Sequence, residues 1–345
     1  MANNNLTNAK KAKNDEFYTA LTDIEKEMRH YKSFFRGKVV YCNCDDARES
    51  NFFKYFSLNF EHLGLKKLIT TGYKADGKGV VLIYEGDKNG NRTVDENEIT
   101  VTELKGNGDF RSEECIEFLK EADVVVTNPP FSLFREYVAQ LMEYGKKFLI
   151  IGNQNAITYK EIFPYIKNDE LWLGANGIKD MSFKVPSTYG KRETRFWIDE
   201  NGQHWRSLGN ACWFTNIPHN KRNYNLDLYR KYNENDYPKY DNYDAIEVSK
   251  VADIPMDYDG VMGVPITFLD KYCPSQFEII SASDFAVNDI EGWKGVSEEF
   301  YNLYYKQGNK GQIQIGWSLP HYIENGVAKI PYKRIFIRKK LSSTN

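Results

Sequence analysis

The stretch that most constrains this chain is Asp123-Val124-Val125-Val126-Thr127-Asn128-Pro129-Pro130-Phe131. Its three valines form a β-branched run of the kind found in strands covered on both faces. Pro129 and Pro130 cannot continue a hydrogen-bonded ladder, so the strand stops there. From Ser132 to Tyr144 the apolar residues Leu133, Phe134, Tyr137, Val138 and Leu141 recur at helical spacing. Strand, rigid turn and helix put the Asn128 side chain at the carboxyl end of a strand. In open α/β sheets that edge is where ligands bind.

These residue types suit chemistry on an amino group. An exocyclic amine conjugated to a ring is a weak nucleophile, because its lone pair is delocalised. Two acceptors aimed at its hydrogens help it to pyramidalise. The Asn128 side-chain carbonyl offers one and the Pro129 backbone carbonyl the other, with proline fixing the backbone. Phe131 gives a flat face for a planar substrate. The same tetrapeptide also reads as a plain strand end with a core Phe. The valine run before it and the helix after it favour the chemical reading.

Strands and helices alternate on both sides of this stretch. Lys38 to Cys44 reads as a strand ending in Asn43-Cys44-Asp45-Asp46, followed by a helix through Asn51, Phe52, Tyr55 and Phe56. Asp45 and Asp46 either bind an ammonium or hydroxyl group or cap that helix. The turn lacks the glycine-rich pattern of a nucleotide site. Leu65 to Thr71 is a further strand, and Val80 to Tyr84 with Thr100 to Leu104 read as hairpin arms. Between those arms, Asp87 to Glu98 has the spacing of a calcium loop. Arg92 stands where that loop needs glycine, so a solvated hairpin turn is the favoured reading. In Gly106-Asn107-Gly108-Asp109-Phe110 the glycines permit close backbone approach. Asp109 there accepts from an amino group or simply precedes the helix from Ser112 to Glu121. A strand at Lys147 to Asn153, a helix at Asn155 to Ile166 and a strand at Glu170 to Leu173 complete the alternation. The expected fold class is α/β, a doubly wound, mostly parallel sheet. Ahead of it, an amphipathic helix carries Leu21, Ile24, Met28 and Tyr31 on one face. Phe17 and Tyr18 read as its hydrophobic staple and Thr22 as its cap.

Beyond Leu173 the pattern changes to short strands at Met181 to Pro186, Thr194 to Asp199 and Ala211 to Ile217. Lys184, Lys191, Arg192, Arg195 and Arg206 fall among Tyr189, Trp197, Trp205 and Trp213. That mixture suits a nucleic-acid surface and equally the solvated face of a twisted sheet. Tyr224 to Tyr243 reads as a polar surface loop. Lys333 to Lys340 reads as a basic strand, either in contact with phosphate or forming a charged edge. The net charge of −2 gives no global basic field, so any nucleic acid must be met by a local patch. Five irregularly spaced cysteines read as reduced cytosolic thiols. The five histidines have no metal-ligand spacing, and no stretch is long and apolar enough to span a membrane.

Together these stretches resemble the EcoRI-type adenine-specific DNA methyltransferase family. The resemblance is carried by Asn14-Asp15-Glu16-Phe17-Tyr18-Thr19, Tyr41-Cys42-Asn43-Cys44-Asp45-Asp46, Asn51-Phe52-Phe53-Lys54-Tyr55-Phe56, Thr127-Asn128-Pro129-Pro130-Phe131 and Trp213-Phe214-Thr215-Asn216. It implies a Rossmann-like fold dependent on S-adenosylmethionine. It also implies methylation of adenine N6 in double-stranded DNA after base flipping, as in restriction-modification. Under it Phe17, Tyr18 and Thr19 lie near the methionine end of the cofactor. Asn43, Cys44, Asp45 and Asp46 line its amino-acid and ribose part, and Asp109 and Phe110 meet its adenine. Asn128, Pro129, Pro130 and Phe131 hold the target base. The resemblance further implies a catalytic domain over 1–218, a target-recognition region over 219–345, and a cytoplasmic monomer using no metal. A cognate restriction endonuclease would act on the same site without necessarily forming a complex. Methyltransferases often carry an acidic residue after the second strand to grip the ribose hydroxyls, where this sequence reads Thr70-Thr71-Gly72-Tyr73. The Asn-Pro-Pro-Phe motif alone also serves a methyltransferase acting on an RNA base or a protein glutamine. A DNA-binding protein without catalysis is a further reading, against which the intact motif argues.

Overall fold

A computed structural model describes residues 18–44, 46–75, 77–187, 189–190, 193–283 and 293–340. The chain divides into two compact units, Met1–Gln154 with Leu171–His219, and Asn155–Glu170 with Asn220–Asn345. The sequence boundary at 218/219 sits beside this division but leaves residues 155–170 on the other side. The reason is local: within the second unit Tyr332 donates to Asn155 Oδ1 at 2.8 Å and Lys333 Nζ donates to Thr158 Oγ1 at 2.6 Å.

The first unit is built on a 10-stranded sheet. Its strands are β1 (Tyr18–Thr19), β2 (Val39–Cys42), β3 (Lys67–Gly72), β4 (Val80–Tyr84), β5 (Ile99–Glu103), β6 (Val124–Thr127), β7 (Lys147–Asn153), β8 (Trp172–Lys184), β9 (Phe196–Ile198) and β10 (His204–Thr215). The order is β1-β8-β10-β7-β6-β2-β3-β4-β5, with β9 paired to β10. β3, β2, β6 and β7 run parallel and form the doubly wound centre, while antiparallel strands extend it on both sides. Every residue of β2 and of β6 is buried, as expected of strands covered by helices on both faces. Phe35, Phe52, Phe56 and Trp213 fill the core on one side, with Phe52 edge-on to Trp213 at 6.2 Å.

Several local expectations are corrected. Ser50 caps the helix Asn51–Leu58 by accepting from Phe52 N–H, while Asp46 accepts from the N–H groups of Arg48 and Glu49 and shapes the turn before it. The helix Leu21–Met28 starts after Ala20 without a side-chain cap, so Thr22 lies inside it. Tyr18 pairs with Lys184 in β1 instead of forming a staple. Phe17, Asp45, Lys191 and Arg192 lie outside the described residues. The helix expected over 155–166 is a 3-10 turn, Gln154–Thr158, and a short helix, Phe163–Lys167. Pro164 suits only the first turn of such a helix, so the helix cannot begin earlier. The two strands expected around Leu173 and Met181 are one continuous β8, bent by register shifts against β10. In the hairpin loop, Asp87 accepts from Gly90 and Arg92 N–H at 2.6 Å each, and Glu98 accepts from Lys88 and Asn89 N–H. Those carboxylates serve the turn, and Arg92 takes the left-handed conformation (φ 63°) at the glycine position.

The second unit holds β11 (Ala245–Glu247), β12 (Val261–Pro265), β13 (Phe277–Ala282), the hairpin β14 (Tyr322–Glu324) and β15 (Val327–Lys329), and β16 (Arg334–Lys339). The larger sheet has the order β11-β12-β16-β13. The basic C-terminal strand is therefore an interior strand, not an edge. Arg334 points inward, where Nε and a terminal nitrogen grip Glu247. The stretch Tyr224 to Tyr243 does lack regular strands and long helices, but Tyr237, Tyr240 and Tyr243 are buried instead of solvated.

Candidate active site

The chain leaves β2, crosses to β3 on one side, and later returns through β6 on the other side of β2. That reversal is the switch point where doubly wound sheets bind ligands. Asn43 follows β2 and Asn128 follows β6, so two of the sequence-selected stretches end on neighbouring parallel strands. The Thr127 hydroxyl donates to the Asn43 carbonyl and ties the two strand ends together. Asn128 and Pro129 are buried, while Pro130 and Phe131 are partly exposed. Phe131 opens a 3-10 turn that runs into the helix Phe134–Glu143, and Leu133 N–H closes on the Pro130 carbonyl at 2.9 Å.

The second loop on this edge brings Asp109 and Phe110. Gly108 (φ 80°) passes so close to Gly72 that an added Cβ would lie 2.3 Å from the Gly72 carbonyl oxygen. The glycine is needed for contact between two backbones at the end of β3. Asp109 is held by Arg111, whose Nε and terminal nitrogen donate to it at 2.9 and 2.7 Å. Those hydrogen bonds keep the Asp109 carboxyl below the usual carboxylate range. The Arg111 guanidinium lies 5.2 Å from the centre of the Phe110 ring. Phe110 is buried, its ring centre 5.0 Å from that of Tyr137 in a T-shaped arrangement. Sequence reading placed Tyr137 only on the apolar face of its helix. Its hydroxyl, a polar group on an otherwise apolar stripe, was the signal that it does more. It donates to Asn43 Oδ1 at 2.5 Å, and burial pushes the phenol pKa up so that it stays protonated.

The N-terminal stretch joins through Asn51, whose side chain donates to the Thr19 carbonyl at 2.7 Å. Tyr18 borders a cavity of about 210 Å³ with Lys184, Pro186, Gln203 and His204. The Thr19 and Thr70 hydroxyls are buried with no hydrogen-bond partner among the described residues. Thr70 pairs with Cys42 in the sheet, beside the Asn43 turn. Buried hydroxyls are nearly always paired, so these two fit a polar ligand such as an amino-acid or ribose group. The residues present thus fit S-adenosylmethionine.

The basic and aromatic residues after β8 separate into different environments. Trp213 is core. Trp197 and Trp205 stack at 6.3 Å on the β9–β10 hairpin, and Trp197 is 41% exposed. Arg195 pairs with Asp180, and Arg206 donates to the Thr194 carbonyl. Among the described residues no helix is long and apolar enough to cross a membrane, and no group of His, Cys, Asp and Glu forms a metal site. All five cysteines are thiols.

Comparison with known proteins gives one family. Residues 5–340 match the family described as adenine-specific methyltransferase EcoRI. The chain is 53% identical over 286 residues to the Type II methyltransferase M.EcoRI of Escherichia coli, covering 80% of this chain and 88% of that protein. It is 45% identical over 287 residues to M.MgeORF184P of Mycoplasma genitalium (81% and 87% covered) and 43% identical over 288 residues to M.MpnI of Mycoplasma pneumoniae (81% and 87%), both also Type II methyltransferases. With the parallel strands, the switch point and the Asn-Pro-Pro-Phe turn all in place, this chain belongs to the EcoRI-type adenine-specific DNA methyltransferase family.

Proposed function

We propose that the enzyme transfers a methyl group from S-adenosylmethionine to N6 of adenine in a specific double-stranded DNA sequence, with Asn128 to Phe131 as its catalytic residues. The observation that carries this reading is the juxtaposition of Asn43 and Asn128 at the ends of adjacent parallel strands. S-adenosylmethionine supplies an electrophilic methyl group. The Asn128 side-chain carbonyl and the Pro129 carbonyl accept from the two hydrogens of the target amine and direct its lone pair outward. Phe131 stacks on the flipped base, a contact worth roughly 1–3 kcal/mol. Burial of Asn128 excludes water from the amine, and positioning carries most of the rate. Thr19, Asn43, Cys44, Asp46, Asp109 and Phe110 form the cofactor side, together with Phe17, Tyr18 and Asp45.

Residues 219–345, nearly all of which lie in the second unit, are the proposed target-recognition region. The enzyme would act as a cytoplasmic monomer and protect DNA from a cognate endonuclease reading the same site, with no lasting complex between them.

The test is transfer of labelled methyl to unmethylated plasmid DNA, with RNA and protein as parallel acceptors. Wild type should give N6-methyladenine in DNA alone. Asn128→Ala should lose at least about a hundredfold in rate, the scale of removing one positioned polar group, while still binding cofactor in calorimetry. Label in RNA or protein with none in DNA would overturn the substrate assignment.

A further inference from the structure

We propose that Tyr137 is a positioning residue that locks the cofactor-side loops to the helix following Asn128-Pro129-Pro130-Phe131. The inference rests on the site assignment above and extends it to a residue outside every motif.

Tyr137 is completely buried in the helix Phe134–Glu143. A phenylalanine would fill the same space, so the hydroxyl is what packing does not explain. Its acceptor is Asn43 Oδ1, in the cofactor stretch after β2. Its ring makes a T-shaped contact with Phe110, in the second cofactor stretch. One turn further along the same helix, Gln140 Nε2 donates to the Phe110 carbonyl at 3.2 Å. The Thr127 hydroxyl, just before Asn128, donates to the Asn43 carbonyl. Helix, catalytic turn and both cofactor loops are therefore fastened at two points, Asn43 and Phe110.

The Asn43 turn needs such a fastening. Cys44 adopts φ 72°, a left-handed conformation that residues with a Cβ hold only when their surroundings impose it. The Cys44 thiol, a weak donor, also lies 3.5 Å from Asn43 Oδ1. Without the Tyr137 hydroxyl the Asn43 side-chain amide loses that bond, and of the two ties described here the turn keeps the one from Thr127 to the Asn43 carbonyl. The helix still packs through its ring face, so the catalytic turn keeps its place. The expected signature is a loss in cofactor affinity larger than the loss in turnover at saturating cofactor.

The experiment measures S-adenosylmethionine binding by calorimetry, steady-state KM and kcat on cognate DNA, and thermal unfolding for wild type, Tyr137→Phe and Tyr31→Phe. Tyr31 is an equally buried tyrosine of the same unit, bonded to Glu27 at 2.9 Å and outside the site. Tyr137→Phe should raise the cofactor Kd and KM about tenfold, as loss of one buried hydrogen bond does, with kcat within about threefold of wild type. Tyr31→Phe should lower the unfolding temperature and leave the Kd unchanged. Unchanged cofactor affinity in Tyr137→Phe would overturn the proposal. So would equal loss of affinity in Tyr31→Phe, because the effect would then be general loosening. Failure of the wild type to bind S-adenosylmethionine would sink the site assignment itself, and the proposal with it.

Discussion

Asp109 illustrates how a single side chain changes meaning once its neighbours are known. From sequence it is an acceptor in a glycine-containing loop; in the structure most of its hydrogen-bonding capacity faces Arg111. Arg111 in turn reaches Glu136 at 3.2 Å, so the loop is fastened to the helix that carries Tyr137. Arg111→Ala should therefore raise the Asp109 pKa toward the ordinary carboxylate range, as read by carboxyl-carbon NMR titration. Because the pair is partly exposed and screened by solvent, the change in global stability should be small. An unshifted Asp109 titration in the variant would mean that another group holds its charge. At the same scale, Asp46 shows why capping could not be assigned from residue type alone. Asp and Ser both cap helices, and Ser50 has the geometry.

At the scale of elements, β16 departs most instructively from expectation. Its Lys and Arg residues suggest an edge, since charged side chains protect exposed ladders. Yet β12 and β13 flank it, and Ile335, Phe336 and Ile337 are fully buried. Arg334 is admitted to the interior only because Glu247 meets it, with the Tyr240 hydroxyl also donating to Glu247. Removing one partner strands the other charge. Glu247→Ala should cost about 3–5 kcal/mol, measured by denaturant unfolding, whereas the double change Glu247→Leu with Arg334→Met should cost far less. Similar losses in both variants would show that packing, not the charge pair, sets the stability there. The β6 element behaved in the opposite way. Its valines, its proline stop and the helix after it all declared themselves in sequence, because local chemistry alone ends that strand.

At the scale of the whole molecule, acid should act on the second unit through one buried histidine. His321, in the second unit, is buried against Phe300 at 4.1 Å, and burial lowers its pKa below the usual value near 6.5. Its Nδ1 lies 2.7 Å from the Leu319 carbonyl, which only accepts, so that nitrogen carries the proton of the neutral ring. With the folded pKa depressed, the unfolded chain takes up a proton first as pH falls. Stability contributed by His321 is complete above about pH 6.5 and is lost as pH drops toward the lower folded value. The stability of the second unit, followed by hydrogen exchange, should fall between pH 7 and 5. His321→Gln should flatten that dependence; an unchanged slope would assign it to other groups.

What the sequence determined by itself was whatever local chemistry enforces: the parallel strands from their buried β-branched runs, the stop at Pro129, the hairpin, and the order of the Asn43 and Asn128 turns. It also carried the family, because the motifs are contiguous. Tertiary structure alone decided which segments share a unit, as with residues 155–170, and that the basic last strand lies inside a sheet. It alone paired Tyr137 with Asn43 across 94 positions of chain. A hydroxyl on an apolar helix face looks the same in sequence whether it meets solvent, a carbonyl or a neighbouring loop. Its meaning is fixed only by what the fold places opposite it.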